Sequence, residues 1–215
     1  NLAGLELFYS LNELNLSFNN IEDLGPLSGL TNLSRLEVRG NNIEDLGPLS
    51  GLSNLGELDV RDNPLDEEAL NVEIPALQAR GVEVEWNVAI PAGNLRTALE
   101  EQLGREAGGP IYNTDSFGNL HFNDRGISNL TGLESIGVSG ELFLSGNDIT
   151  DVSPLSGSTS HYLDLSGNDI VNVSPLSGLT NLSELYLSGN KIADLSPLQG
   201  LPNLGRLDLR DNKID

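Results

Sequence analysis

Residues Leu185–Leu201 read LYLSGNKIADLSPLQGL, and the fold of the whole chain follows from this stretch. Its order of leucines, asparagine, aspartate, proline and glycine returns at spacings of 22 residues in both halves of the 215-residue chain, with one spacing of 21. The asparagine of the pattern stands at Asn19, Asn41, Asn63, Asn147, Asn168, Asn190 and Asn212. A repeat of this length is one supersecondary unit that stacks on its neighbours, so the pattern predicts a solenoid of similar coils.

Each residue type of the coil has its own physical role. The Leu-x-Leu segment alternates as a strand does, which predicts one short parallel strand per coil with its middle side chain facing solvent. The asparagine has an amide that both donates and accepts, so we expect the stacked asparagines to satisfy backbone groups at the turn. An aspartate such as Asp194 stands before a Leu-x-Pro-Leu stretch, where an aspartate can cap a short helical turn. One coil buries too few aliphatic groups to offset the ordering of its backbone, so the coils must form arrays.

The pattern divides into two arrays. After Asn63 it breaks, and residues 64–86 predict a helix, a turn and a strand that close the first array, with Asp66 capping the helix. Residues 91–104 carry apolar groups at helical spacing and predict a helix that opens the second array. The expected domains are residues 1–88 and residues 89–215.

The totals exclude several classes of partner and chemistry. The chain has 32 acidic residues against 11 Lys and Arg, a formal net charge of -21, which argues against a nucleic acid or an anionic membrane as partner. Cationic partners, divalent ions and a saline habitat all remain open as reasons for this charge. There is no Cys, which excludes disulfides and thiol chemistry, and no apolar run reaches the length of about 18 residues for membrane insertion. Because Asn1 is not Met and Asp215 stands inside a repeat, we expect both ends to be cuts in a longer chain.

The repeats Leu142–Leu155, Leu163–Leu176 and Leu185–Leu201 resemble the 22-residue, internalin-type leucine-rich repeat of bacteria. The resemblance implies an α/β solenoid with a parallel β-sheet on a concave face, short 3-10 segments or turns on the convex face, and helical caps. It also implies a protein or peptide ligand on the concave sheet and a large bacterial protein, often secreted or at the cell surface. The chain departs from the family at Arg125, which replaces a ladder asparagine, and at Gly132, which replaces a proline.

The outward strand positions define the candidate binding site, which we expect in the second array. Its middle column is His121, Phe143, Asp164, Tyr186 and Asp208, and the flanking columns are Tyr162, Glu184 and Arg206 on one side and Asn123, Ser145, Ser166, Ser188 and Arg210 on the other. Aromatic residues and Arg are enriched at interface hot spots. The candidate ligand-binding residues are therefore His121, Phe143, Tyr162, Asp164, Tyr186, Arg206, Asp208 and Arg210. The alternative is that the rings only cover the sheet, as isolated exposed apolar groups often do.

The first array has a polar face in the same positions. Its middle column is predicted to be Asn15, Glu37, Asp59 and Glu83. Because Arg39 and Arg61 lie near the acidic residues in sequence, we expect a cross-strand charge network, with a polar docking surface as the alternative.

Patterns typical of catalysis and metal binding are missing from the sequence. The only imidazoles are His121 and His161, and Ser is frequent because the repeat uses it at turns, so no catalytic triad is indicated. The Gly-Asn-Asp runs at residues 146–148 and 167–169 lack the spacing of a calcium loop. We therefore expect no enzyme activity, no cofactor and no metal.

Three hypotheses for function follow. The first is a module that binds a protein or peptide across the second array. The second is a structural spacer made of tandem capped arrays, which suits the polar face of the first array. The third is the recognition arm of a larger protein whose catalytic domain lies outside this sequence. The sequence makes no prediction of the oligomeric state.

Overall fold

The computed structural model describes residues 2–214, so Asn1 and Asp215, on which the expectation of cut ends rests, lie outside the described residues. The chain forms two compact units, Asn1–Asn87 and Val88–Asp215. In each unit, parallel strands of two or three residues alternate with short 3-10 helices, which confirms the predicted solenoid.

The first unit holds a four-stranded parallel sheet in chain order. Its strands are β1 (Glu13–Asn15), β2 (Arg35–Glu37), β3 (Glu57–Asp59) and β4 (Glu83–Glu85). The 3-10 helices are Leu5–Leu7, Gly25–Leu27 and Gly47–Gly51. A π-helical turn at Ala69–Glu73 leads into helix α1 (Ile74–Ala79), and the Asp66 carboxylate accepts a hydrogen bond from the Ala69 N–H at 2.7 Å.

The second unit begins with helix α2 (Asn94–Leu103) and holds a five-stranded and a two-stranded parallel sheet. The larger sheet is made of β6 (Leu120–His121), β8 (Leu142–Phe143), β9 (Tyr162–Asp164), β10 (Glu184–Tyr186) and β11 (Arg206–Asp208), and the smaller of β5 (Ser116–Phe117) and β7 (Gly137–Val138). The 3-10 helices are Leu133–Ser135, Ser153–Leu155, Ser174–Gly178 and Ser196–Gly200. The smaller sheet was not predicted from the sequence, because its two-residue strands carry no alternating pattern of their own.

The strand register stacks equivalent leucines from coil to coil. Leu142, Leu163 and Leu185 pair in adjacent strands and are all buried. The spacing of 21 residues between Leu142 and Leu163 leaves this register intact, because the coil is shortened away from the strands. The missing residue lies after the 3-10 helix Ser153–Leu155, since Tyr162 stands seven residues after Leu155, whereas Glu184 stands eight residues after Leu176. The repeat thus tolerates a deletion where no strand pairing depends on it.

The register of the first unit corrects one predicted position. Asp59 pairs with Glu85, while Glu83 pairs with Glu57. Glu85 therefore belongs to the middle column, and the placement of Glu83 there was wrong. The segment Val82-Glu83-Val84 suggested a Leu-x-Leu match, but it is Val84 that pairs with Leu58, and the sequence pattern alone does not distinguish two registers that differ by two residues.

The asparagines connect each coil to the one before it. The Nδ2 of Asn41 donates to the carbonyls of Val38, at 2.8 Å, and Leu16, at 3.1 Å, while its Oδ1 accepts from the Ile21 N–H at 3.0 Å. Equivalent hydrogen bonds are made by Asn63, Asn147, Asn168, Asn190 and Asn212. Asn19, in the first coil, donates to carbonyls of its own coil. Backbone groups that the turn removes from water are satisfied in this way.

The coil that carries Arg125 satisfies its turn without a ladder asparagine of its own. Asn147 Oδ1 accepts from the backbone N–H groups of both Arg125, at 3.0 Å, and Ile127, at 2.9 Å. The Arg125 guanidinium pairs instead with Glu101 of helix α2 at 2.6 Å. Arg125, the residue that departs from the repeat pattern, therefore contacts the helical cap of the second unit.

Candidate functional site

The candidate residues of the second unit lie on the exposed side of its five-stranded sheet, here called the sheet face. The register places His121 beside Phe143, Phe143 beside Asp164, and Tyr186 between Asp164 and Asp208. Tyr162, Glu184 and Arg206 form the flanking column. The eight candidate residues therefore lie on four neighbouring coils and the edge coil that holds His121.

Four of these side chains form a continuous stack, here called the aromatic row: His121, Phe143, Tyr162 and Tyr186. The ring centroids of His121 and Phe143 are 4.6 Å apart with an interplanar angle of 12°. Phe143 and Tyr162 are 4.8 Å apart, and Tyr162 and Tyr186 are 5.2 Å apart, both tilted by 40°. The Arg206 guanidinium lies 5.1 Å from the Tyr186 ring centroid and ends the row.

The row changes column in the middle. His121, Phe143 and Tyr186 are middle-column residues, but the middle residue of β9 is Asp164, and Tyr162 of the flanking column provides the ring at this strand. Strand positions alone separate the two columns, so the crossing row was not predicted. The signal that could have indicated it is the swapped order of Tyr162-x-Asp164 relative to Glu184-x-Tyr186.

The stacking determines which parts of the rings a partner can reach. The centroid distances match the strand spacing of about 4.8 Å, so the stack runs across the strands and each ring covers the faces of its neighbours. A partner can therefore reach the ring edges more readily than the ring faces. Phe143, Tyr162 and Tyr186 are half-buried and His121 is exposed. The row is therefore an apolar ridge whose side chains are already ordered by one another.

Carboxylates surround the middle of the aromatic row. The Tyr186 hydroxyl donates to Glu184 Oε2 at 2.6 Å, and this hydrogen bond raises the pKa of Tyr186 to about 12. Burial raises the pKa of Tyr162, and the negative charges of Asp164, Glu184 and Glu141 raise it further. Sequence analysis did not include Glu141, although it precedes Leu142 as Glu184 precedes Leu185.

Two other candidates of the last coil are engaged with each other. Arg210 Nη2 and Asp208 Oδ2 are 2.6 Å apart, and the Arg210 side chain also donates to Asp208 through Nε. This hydrogen bonding lowers the pKa of Asp208. Asp208 and Arg210 thus form an ion pair at the end of the sheet, beside Arg206.

The equivalent surface of the first unit, here called the charged face, is a network of ion pairs. Arg61 lies 2.7 Å from both Asp59 Oδ2 and Glu85 Oε2. Arg35 bridges Glu37 and Glu57. The network is therefore present between strands, as we expected, and it includes the flanking-column residue Arg35, which was not predicted.

Arg39 forms an ion pair with the turn of the following coil. Its Nε donates to Asp62 at 2.8 Å, in the turn after β3, and its guanidinium lies 5.7 Å from the ring centroid of Phe18. Asp62 precedes the ladder residue Asn63, so the long Arg39 side chain reaches the turn of the following coil.

The two histidines and the acidic side chains are the remaining candidates for catalysis or metal binding. His161 Nε2 lies 3.8 Å from Glu141 Oε1, and His121 is stacked on Phe143. Within residues 2–214, His, Asp and Glu do not gather in threes as a metal site requires. The helices of this part of the chain are too short or too polar to cross a membrane.

Comparisons with known proteins agree with the repeat. The model of leucine-rich repeats (two copies) matches residues 9–49, 161–200 and 180–215. No curated protein matches the chain. Among solved structures, internalin C2 of Listeria monocytogenes is 28% identical, with 98% of this chain and 76% of that chain covered and a TM-score of 0.44. A second Listeria monocytogenes internalin (inlF) is 22% identical, with 99% and 78% covered and a TM-score of 0.38. A leucine-rich-repeat protein of Leptospira interrogans is 20% identical, with 98% and 69% covered and a TM-score of 0.35.

Proposed function

We propose that this chain, a leucine-rich-repeat protein that resembles the Listeria internalins, binds a protein or peptide on the sheet face of its second unit. Leucine-rich-repeat modules commonly bind proteins and are typically not enzymes. The observation that carries the proposal is the aromatic row, in which four rings from four adjacent strands form one continuous, partly exposed ridge.

The physical state of the row favours binding over simple coverage of the sheet. Single exposed apolar side chains are ordinary on protein surfaces, but contiguous exposed apolar patches often mark interaction sites. Each ring is held by its neighbours, so a partner does not have to order it on binding, and the entropy cost of association is reduced. Aromatic side chains also contribute strongly when a partner excludes water from them.

A spacer role is the second candidate, and the charged face of the first unit favours it. Arg61 contacts Asp59 and Glu85, and Arg35 contacts Glu37 and Glu57, so these groups already satisfy one another. A partner would have to break these pairs and desolvate them, which costs binding energy. We therefore propose that the first unit has a structural role as a spacer and that the second unit binds the partner. A recognition arm within a larger protein is compatible with this division.

Selection of peptides on the intact chain tests the proposal. Peptides selected from a random displayed library are expected to lose at least about tenfold in affinity for the Phe143→Ala/Tyr186→Ala variant, since both changes remove ridge side chains. The matched control is Glu37→Ala/Asp59→Ala, which changes two middle-column residues of the first unit and is expected to leave affinity unchanged. Circular dichroism establishes that both variants are folded.

The opposite pattern of affinities would overturn the proposal. If the selected peptides bind Phe143→Ala/Tyr186→Ala as tightly as the unaltered chain, the ridge is not the binding surface. If they lose affinity only for the control variant, recognition belongs to the charged face.

A further inference from the structure

We infer that the partner segment on the aromatic row is cationic and extended, with a basic side chain at every third residue. The inference rests on the proposed function and adds the chemistry of the partner. It is carried by the positions of Glu141, Asp164 and Glu184 beside the rings.

The three central coils of the sheet face each pair one ring with one carboxylate. The pairs are Glu141 with Phe143, Tyr162 with Asp164, and Glu184 with Tyr186. Because the order of ring and carboxylate is reversed in the middle coil, carboxylates and rings alternate along the flanking column and along the middle column. The apolar ridge is thus accompanied by carboxylates over its whole central length, and any partner that covers the ridge must also satisfy these charges.

Each of these carboxylates accepts a hydrogen bond from the chain itself, but none has an ion pair shorter than 3.8 Å in the part of the chain that the structure describes. Asp164 Oδ1 accepts one hydrogen bond, from the Ser166 N–H at 3.0 Å, and Asp164 has no ion pair among the residues that the structure describes. Glu184 Oε2 accepts from the Tyr186 hydroxyl at 2.6 Å, and Glu141 Oε2 accepts from Asn119 Nδ2 at 2.9 Å. Their nearest basic groups are at the limit of an ion pair, with Arg206 Nη1 3.9 Å from Glu184 and His161 3.8 Å from Glu141. The surface therefore differs from the charged face, where Arg61 lies 2.7 Å from each of its two carboxylates.

Arg and Lys side chains fit both properties of this surface. Their aliphatic stems lie along apolar groups while the charged heads reach polar groups nearby, so a stem on the ring edges brings its head to a carboxylate. The Arg guanidinium also forms two parallel hydrogen bonds to a carboxylate. An acidic partner is disfavoured by these three charges and by the net charge of -21.

The spacing of the carboxylates sets the spacing in the partner. Glu141, directly before β8, and Glu184 of β10 occupy equivalent flanking positions, two strand spacings or about 9.6 Å apart. A polyproline II segment advances about 9.3 Å in three residues and returns to the same side, whereas a β-strand alternates sides. A segment of this kind, lying across the strands, places successive third residues over Glu141 and Glu184.

Defined peptides on the intact chain test this inference. The probe is a fluorescein-labelled nonamer of three Pro-Pro-Arg units, measured by fluorescence anisotropy in physiological salt. It is expected to bind about tenfold more tightly than the same peptide with citrulline in place of Arg, which keeps the shape and removes the charge. It should also bind at least about threefold more tightly than a nonamer of equal composition with its three Arg adjacent.

Matched variants separate a specific site from general attraction. Asp164→Asn/Glu184→Gln is expected to weaken the Pro-Pro-Arg nonamer at least about fivefold, whereas Glu22→Gln/Glu44→Gln in the first unit, with the same change of net charge, should weaken it less than twofold. Equal losses in the two variants, or equal binding of the citrulline peptide, would overturn the inference. If library-selected peptides depend on Phe143 but carry no basic residues, the proposed function stands and this inference fails. If no peptide depends on Phe143, both fail.

Discussion

The sheet faces of the two units differ while their interiors are alike. Both units bury equivalent leucines between parallel strands and connect their coils through asparagines such as Asn41 and Asn168. On the exposed side, the first unit has ion pairs centred on Arg35 and Arg61, and the second has stacked rings. The difference shows that the coil restricts only the residues that it buries, so its outward positions are free to take different chemistry.

Equivalent positions make this comparison concrete. Glu37 of the first unit and Phe143 of the second occupy the same middle-column position in their own repeats. Glu37 is held by Arg35 on its own strand and accepts from Asn15 on the preceding strand. Phe143 is held by rings on both adjacent strands. Charge pairing therefore orders one face, and stacking orders the other.

The largest expected effects test whether the interiors are equivalent. Asn41→Ala and Asn168→Ala each leave buried carbonyls and an N–H without a partner, and we expect each to lower the free energy of unfolding of its own unit by about 3 kcal/mol. Urea unfolding followed by Trp86 fluorescence reports on the first unit, and hydrogen exchange of β9 and β10 reports on the second. A loss of unfolding free energy below about 1 kcal/mol in one unit but not in the other would show that the two asparagine ladders are not equivalent.

An intermediate effect tests the difference between the faces. Phe143→Ala removes a half-buried ring with two stacking contacts, and it is expected to destabilise the second unit by about 2 kcal/mol. Glu37→Ala, at the same column position, removes an exposed ion pair and should cost the first unit less than about 1 kcal/mol. The two variants are compared by thermal and urea unfolding. Equal costs would mean that stacking does not order the second face more strongly than charge pairing orders the first.

The smallest expected effect concerns the pKa of the Tyr186 hydroxyl. The pKa of Tyr186 is raised from 10.0 to about 12, so its hydrogen bond to Glu184 is fully present below pH 10 and lost as the pH rises through about 12. Glu184→Ala is expected to return the pKa toward 10, measured by NMR titration of ¹³C-labelled tyrosine with Tyr186→Phe as the assignment. Glu57→Ala, a flanking-column change in the first unit, is the control. A Tyr186 pKa that is unaffected by Glu184→Ala would contradict the contact.

The repeat pattern predicted the fold because a solenoid is built from local units. Leu-x-Leu, the asparagine and the Pro-Leu turn each define structure within one coil, and the 22-residue spacing then places equivalent residues side by side. The solenoid is confirmed by the strand order, and the leucine-rich-repeat model matches parts of both units. The register of β4 was predicted incorrectly, since Val82, Val84 and Trp86 alternate without a unique match to Leu58. The columns of the second array agree with the strand register, but their assignment to a ligand stays a prediction.

The sequence by itself determined the buried and outward positions of the regular coils, because burial in a repeat depends on a period that can be counted. The exceptions are β4, where the register differs from the predicted one, and the last strand, where Leu207 is exposed. Tertiary structure alone decided how the outward side chains combine. Tyr162 joins Phe143 and Tyr186 although it belongs to another column, and Arg35 bridges two carboxylates on different strands. The physical reason is that these contacts depend on rotamers and on the 4.6–5.2 Å separation of rings across strands, which residue spacing along the chain does not contain.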